Sequence, residues 1–337
     1  MSLGARPEHI AVVTTSFPRF PGDAAGHFVL AEVRELERQG ARVTVIAAGD
    51  SAAPPAGDVH FVGGSALFDW PGALPRLRER PLRGLLALTF VVRSARLLAQ
   101  LGPFDRVISH WLLPSALPPL VTWPLGGAPR PALEVVLHGS DARLLARLPR
   151  RARGPLLREL ARRGARLRFV SRTLRDELAR SSGLGLGLQA WLEKSEVRPA
   201  ALDITFAPSR AEARDALGVT PDERLVVVVG RLVPEKRTHV ALSAASLVPD
   251  ARVVVVGAGP ERERLARELP EAVLVGQVPR EVALRWIAAA DLLLSASREE
   301  GAPTAIREAR ALDVPVVARA AGDLERWSVD DPELWVL

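Results

Sequence analysis

The chain has 337 residues, 48% of them hydrophobic, with no cysteine and a formal net charge of +6. That length exceeds one ordinary core and predicts two domains. The lack of cysteine excludes disulfides, thiolate metal sites and a cysteine nucleophile, and it is compatible with a reducing cytoplasm.

In chain order, Met1 to Glu8 is polar and the apolar run after it is too short for a secretory signal, so a cytoplasmic protein is expected. His9 to Thr15 reads as a strand, Ser16 to Gly26 as a glycine loop and His27 to Gln39 as a helix with Val29, Val33 and Leu36 on its buried stripe. Arg42 to Ala47 is the next strand. A strand, helix, strand order of this kind predicts a parallel sheet. Asp50 to Gly57 and Trp70 to Arg80 read as loops, and Pro81 to Leu101 as a helix. Its apolar part, Leu85 to Val92, falls short of the roughly 20 residues a membrane span needs, and Leu112 to Leu125 is broken by four prolines.

Further strands are expected at Arg106 to Ser109, Leu133 to Leu137 and Arg168 to Ser171. His110 and His138 each follow a strand. Either ring meets a ligand, or His138 caps the next turn with Ser140 or Asp141 and His110 packs under its loop. Arg143 to Arg168 holds ten arginines against one acid, Glu159, a local charge of +9. Arg158, Arg162 and Arg166 are four apart and predict one basic helix face; Leu156, Leu160, Ala161 and Leu167 form another. Such a helix suits an anionic membrane surface or plain solvent. It does not suit nucleic acid, because Phe169 alone interleaves with the arginines and no binding motif accompanies them.

After a Gly-Leu repeat, Gly183 to Leu188, the domain boundary is expected at Asp203, giving domains 1–203 and 204–337, and a charged segment follows from Ser209 to Glu223. Leu225 to Val229 ends at Gly230-Arg231, with Lys236 five residues on. Arg252 to Val256 ends at Gly257-Ala258-Gly259-Pro260 before a helical stretch from Glu261 to Glu268. Asp291 to Ser295 leads into SREEGAPTAIRE, which carries Glu300, Gly301 and, in the helix beyond Pro303, Glu308. Ligands of open α/β sheets lie outside the carboxyl ends of the strands. Backbone N–H groups between Ala302 and Thr304 would hold an anion there, and Glu308 would accept hydrogen bonds from sugar hydroxyls. The arrangement suits a nucleotide sugar.

Taken in order, these motifs resemble the retaining glycosyltransferases of family four, over nearly the whole chain. The resemblance implies the GT-B fold: an α/β protein of two Rossmann-like, doubly wound parallel-sheet domains facing a cleft. It implies that Arg231 and Lys236 grip the donor diphosphate and that Glu300 and Glu308 bind donor sugar and ribose. In VVLHGSD, His138 would lie over the sugar, and the leaving phosphate oxygen would take the acceptor proton. The catalytic set so implied is Arg231, Lys236, His138 and Glu300. Donor-binding residues would be Gly26, Gly230, Gly257, Gly259, Gly301, Ala302, Pro303, Thr304 and Glu308; SFPRFPGDAAGHF and ISHWLLPSA supply Gly22 and His110 on the acceptor side.

No metal and no cofactor is expected, since the six histidines, at 9, 27, 60, 110, 138 and 239, are scattered. The donor is expected to be a UDP-sugar ahead of a GDP- or ADP-sugar, and the acceptor a glycan or a lipid-linked molecule of polysaccharide or glycolipid assembly, met at the inner face of the cell membrane. The chain departs from the family at Pro199-Ala200-Ala201-Leu202-Asp203, where Pro-Asn-Gly-Val-Asp is usual, and at Asp313, where a glycine is usual; Asp tolerates a left-handed backbone. Members also continue past a strand like Leu334 to Leu337 with helices that cross back. Two alternatives stay open, a GT-B sugar-nucleotide epimerase and a non-catalytic donor-binding subunit. A dehydrogenase is disfavoured because Gly257-x-Gly259-Pro260 lacks the third glycine and the acidic ribose reader.

Overall fold

Every residue of the first strand, β1 (His9–Thr14, HIAVVT), is buried, as expected of a strand covered on both faces of a parallel sheet. A computed structural model describes residues 6–50, 57–69, 72–124, 130–181 and 184–337. The chain divides into two units, Met1–Ala201 and Leu202–Leu337.

The first unit adds β2 (Arg42–Ala47), β3 (Asp58–Phe61), β4 (Arg106–His110), β5 (Ala132–Leu137), β6 (Arg166–Phe169) and β7 (Glu196–Val197), in spatial order β3-β2-β1-β4-β5-β6-β7 and all parallel. The second holds β8 (Arg224–Val229), β9 (Ala251–Val256), β10 (Val273–Gly276), β11 (Leu292–Ser295), β12 (Val316–Ala318) and β13 (Leu334–Val336), in order β10-β9-β8-β11-β12-β13, again parallel. Strand order reverses between β1 and β4 in one unit and between β8 and β11 in the other. At such switch points the loops leaving the two central strands diverge and open a crevice. Each unit is thus a doubly wound α/β domain.

Four expectations need correction. Trp70 to Arg80 is not a loop throughout: Ala73–Glu79 is helical. Arg210–Leu217, inside the charged segment, is a helix begun by a capping box in which Ser209 and Glu212 satisfy each other's backbone N–H. The apolar stretch that starts at Pro81 is longer than Leu85 to Val92. A 3-10 turn, Pro81–Arg83, runs into the helix Gly84–Leu101, and together they are long and apolar enough to cross a membrane. One face packs Phe90, Val91 and Leu98 against Val107, Val13 and Ile46, while Leu82, Leu85, Leu88 and Val92 lie exposed.

The fourth concerns the arginine-rich stretch, which is not one basic helix. The helices Ser140–Arg147 and Arg150–Arg162 end before β6, so Arg166 and Leu167 belong to a strand. Arg168 is fully buried against Glu32 and Glu134, Arg153 is buried on the carbonyls of Ala146 and Leu148, and Arg163 holds the carbonyls of Leu120 and Trp123. Arg147, Arg150, Arg151, Arg158, Arg162 and Arg166 remain exposed. Residues 1–5, most of the loop read over 50–57, Trp70, Pro71, Leu125 and Gly183 lie outside the described residues.

Candidate active site

In the second unit the loops after β8, β9 and β11 meet. Past β8 the chain makes the 3-10 turn Pro234–Lys236 and enters the helix Thr238–Ala245 through Arg237 at φ 49°. The β9 loop runs against it, with Gly230 N donating to Val256 O at 3.0 Å and Leu232 N to Ala258 O at 2.8 Å. This approach explains two glycines. A Cβ on Gly257 would lie 1.8 Å from Gly230 O, and one on Gly259 would lie 2.2 Å from Leu232 O. Only glycine lets the backbones come so close.

Glu300, Gly301, Ala302 and Pro303 form the turn from β11 into the helix Thr304–Ala311. Of the three residues Ala302, Pro303 and Thr304, Pro303 has no N–H, so the turn offers two backbone donors rather than three. Glu300 is nearly buried and accepts a 2.5 Å hydrogen bond from Lys236 Nζ. The β8 and β11 loops are also joined through their backbones, Arg298 N to Glu235 O at 2.9 Å. Arg231 is exposed on the same loop as Lys236.

Glu308, one turn into the helix, is buried and ion-paired with Arg280, which also donates to the carbonyl of Asp203 at 2.6 Å. Burial lowers the pKa of the adjacent Arg307, with Glu308 acting in the opposite sense. Asp313 takes the left-handed φ of 57° that the helix end requires. Arg280 was not singled out in the sequence; it opens the helix Arg280–Ala289, 28 residues from its partner.

In the first unit Gly22 is exposed at φ 85°, whereas Gly26 is buried where a Cβ would lie 2.3 Å from Ser16 O. His110, at the end of β4, and His138, just past β5, are brought together: His110 Nδ1 is 3.0 Å from His138 Nε2. The His138 ring does not cap the following turn. Asp141 does so, its Oδ1 accepting from the backbone N–H of His138 and Gly139 and its Oδ2 from that of Leu112. Burial raises the pKa of Asp141 against the pull of those bonds.

Phe28 and Trp111 flank His138, with ring centroids 4.9 and 4.6 Å away. Trp111 holds φ at 64°, a conformation rare for a bulky residue. Burial is the main cause that pushes both histidines well below the usual pKa, helped by the charge of Arg168. No group of three or more His, Cys, Asp or Glu able to hold a metal ion occurs among the described residues.

Residues 25–187 match the family model for glycosyltransferase family 4, and residues 209–327 match that for glycosyl transferases group 1. Each domain thus matches a glycosyltransferase family model, and the pair has the GT-B fold. Among relatives in sequence is a Bacillus subtilis (strain 168) protein named for teichuronic acid biosynthesis, the glycosyltransferase TuaC. It is 30% identical over 230 residues, which is 65% of this chain and 54% of TuaC. The chain thus spans about half the length of that relative. Among solved structures, the catalytic domain of starch synthase IV from Arabidopsis thaliana, bound to ADP and acarbose, superposes with a TM-score of 0.70 at 17% identity, covering 95% of this chain and 84% of that one. HepE of Anabaena in complex with UDP and glucose gives 0.62 at 18% identity, covering 97% and 85%. Both likenesses concern the GT-B fold.

Proposed function

We infer that this GT-B protein transfers a sugar, with retention, from a nucleotide-diphosphate sugar to a hydroxyl of a glycan or lipid-linked acceptor. The observation that carries the reading is the union of Lys236 and Glu300 across the β8/β11 switch point, with Arg231 exposed on the same loop as Lys236. A leaving nucleoside diphosphate needs its charge stabilised. Two cations on one loop supply that without a metal ion, each charge-assisted hydrogen bond contributing roughly 1.5–3 kcal/mol. Glu300 would exchange its bond with Lys236 for sugar hydroxyls, and Glu308 its bond with Arg280 for those of the ribose. A UDP-sugar is the donor of this reading, with an ADP- or GDP-sugar as the alternative; HepE binds UDP and the starch synthase ADP.

A lipid-linked acceptor would bring the first unit to the inner face of the cell membrane. The exposed row Leu82, Leu85, Leu88 and Val92, with Arg80, Arg83, Arg93 and Arg96 about it, supports that placement alongside the six outward arginines of 147–166. No acid occurs between Glu79 and Asp105.

Saturation-transfer NMR against UDP-, GDP- and ADP-sugars, followed by product analysis with and without acceptor, tests the reading. Binding of no nucleotide sugar would overturn it. Turnover of donor alone to an epimer would identify an epimerase, and donor binding without turnover on any acceptor would identify a binding subunit.

A further inference from the structure

Below His138 a buried polar chain crosses three strands and a helix of the first unit. His138 Nε2 meets His110 Nδ1 at 3.0 Å, the ring centroids 5.2 Å apart and the ring planes 22° from parallel. On the far side of the His110 ring, Nε2 lies 3.9 Å from Glu32 Oε2, and both atoms are buried without a hydrogen-bond partner. The other oxygen of Glu32 binds Arg168, whose Nε donates to Glu134 Oε1 at 2.9 Å.

Proton bookkeeping along this chain has one consistent solution. Glu32, paired with a guanidinium, is a carboxylate and can only accept. The nitrogen facing it must therefore carry hydrogen, since a bare His110 Nε2 would set two lone pairs against each other in a buried place. Burial keeps both rings neutral, with one proton each. With Nε2 of His110 protonated, its Nδ1 is an acceptor, so the proton between the rings belongs to His138 Nε2. The remaining nitrogen of His138 is then a bare lone pair.

We propose that His110, set by Glu32, is a positioning residue that fixes His138 as the Nε2-protonated tautomer, so that His138 Nδ1 is an acceptor for a hydroxyl of the bound sugar. The identity of that sugar as the donor's rests on the function proposed above; the tautomer does not. A ring of the opposite tautomer would present N–H, and would repel the hydrogen of a donating hydroxyl.

Nitrogen-15 NMR of the histidine-labelled, ligand-free protein reads the tautomers directly, with His138→Asn and His110→Asn spectra for assignment. Protonated Nε2 and bare Nδ1 in both rings at neutral pH is the expected result; a protonated Nδ1 on either ring would overturn the proposal. In Glu32→Gln, Arg168 retains the carbonyl oxygen and the amide NH2 faces His110, so both rings should reverse and His138 should become Nδ1-protonated. An unchanged His138 signal in that variant would show that Glu32 does not set the tautomer.

His110→Asn, whose carbonyl can take the proton of His138, should keep UDP-glucose affinity within a factor of two or three. His110→Phe should weaken it about tenfold while leaving UDP affinity unchanged, the loss expected for one hydrogen bond. Equal affinities of these two variants would speak against a positioning role. If the wild-type protein binds no nucleotide sugar, the donor reading fails while the NMR result still decides the tautomer.

Discussion

Lys236 Nζ donates to Glu300 Oε1 at 2.5 Å, which ties the loop after β8 to the loop after β11 across the point where strand order reverses. Glu300 is 8% exposed, so loss of this hydrogen bond costs more than it would at a surface carboxylate. The pair therefore has a structural role as well as the proposed catalytic one, and mutation of either residue acts on both.

Arg231 and Lys236 separate these roles. Arg231→Ala, at an exposed position, should leave the melting temperature within a degree or two, weaken nucleoside diphosphate binding and slow transfer on the order of 100-fold. Lys236→Ala should show a similar kinetic loss together with a stability loss of about 1–3 kcal/mol, because it removes a charge-assisted hydrogen bond from the buried Glu300 carboxylate. Calorimetry with UDP and a denaturant titration check both. Unchanged diphosphate affinity in the two variants would remove the central assignment.

Close backbone approach at Gly257 predicts a loss that no lost side-chain interaction accounts for. An added Cβ would lie 1.8 Å from Gly230 O, so Gly257→Ala must push the β8 and β9 loops apart. About 1–3 kcal/mol of stability and at least tenfold of donor affinity should be lost together. Gly187→Ala, where a Cβ meets nothing within 4 Å in the helix Leu186–Glu193, is the control; it should be neutral or stabilising by up to about 1 kcal/mol.

The strands were legible because a parallel sheet covered on both faces is written as uninterrupted apolar runs, such as LVVVV over 225–229, and each run ended at a glycine or charged loop. The buried charges were not legible. Arg168 sits among ten arginines that look alike, and what turns it inward is a pair of glutamates 136 and 34 residues away in sequence. Glu32 reads as an ordinary polar position of the helix His27–Arg38. In the same way nothing near Arg280 announces Glu308. Long-range ion pairs leave no local period, whereas the capping box at Ser209 and Glu212 did carry a local signal that the high charge of its segment obscured.

His110 and His138 give a pH dependence whose sign follows from their lowered pKa values. Their folded midpoints lie well below the ordinary 6.5, so below that pH the unfolded chain binds protons that the folded chain does not. Stability is then present above about pH 6.5 and is lost as pH falls toward the folded midpoints. Two such groups should lower stability as pH falls from 7.5 to 5.5. Asp141, whose midpoint is raised, acts in the opposite sense from that midpoint down to its ordinary 3.8. Urea titrations across this range should show the slope, and His110→Phe should reduce it by about half. A flat profile in the wild type would mean that the rings are protonated in place.

Membrane recruitment is expected to depend on both the exposed arginines and the apolar row. Charge reversal is unnecessary: Arg150, Arg151, Arg158 and Arg162 changed to Ser should reduce co-sedimentation with anionic vesicles, each basic residue contributing about 1 kcal/mol near such a surface, and salt should reduce it further. Leu85→Ser with Leu88→Ser should reduce binding even at low salt, because those side chains are 66% and 61% exposed and contribute by insertion. Equal binding to neutral and anionic vesicles, or binding to neither, would count against recruitment by charge.

Glu308 carries the sharpest test of the nucleotide assignment. From sequence alone, Glu308→Gln should weaken donor binding and spare stability, since an ionised carboxylate accepts both ribose hydroxyls and an amide does not. The structure alters the second half, because Glu308 is 6% exposed and ion-paired with Arg280, which in turn holds the Asp203 carbonyl. Glu308→Gln should therefore lower stability by about 1–3 kcal/mol as well. Arg280→Met removes the same ion pair from the other side and leaves the carboxylate in place. If Glu308 serves only the fold, both variants should lose stability and both should retain UDP affinity. If it holds the ribose, Glu308→Gln should lose at least tenfold in UDP affinity, whereas Arg280→Met, which leaves the carboxylate in place, should lose far less at a comparable loss of stability. Measuring the melting temperature and the UDP dissociation constant of the two variants side by side distinguishes them, and parallel loss of affinity in both would refute a ribose role specific to Glu308.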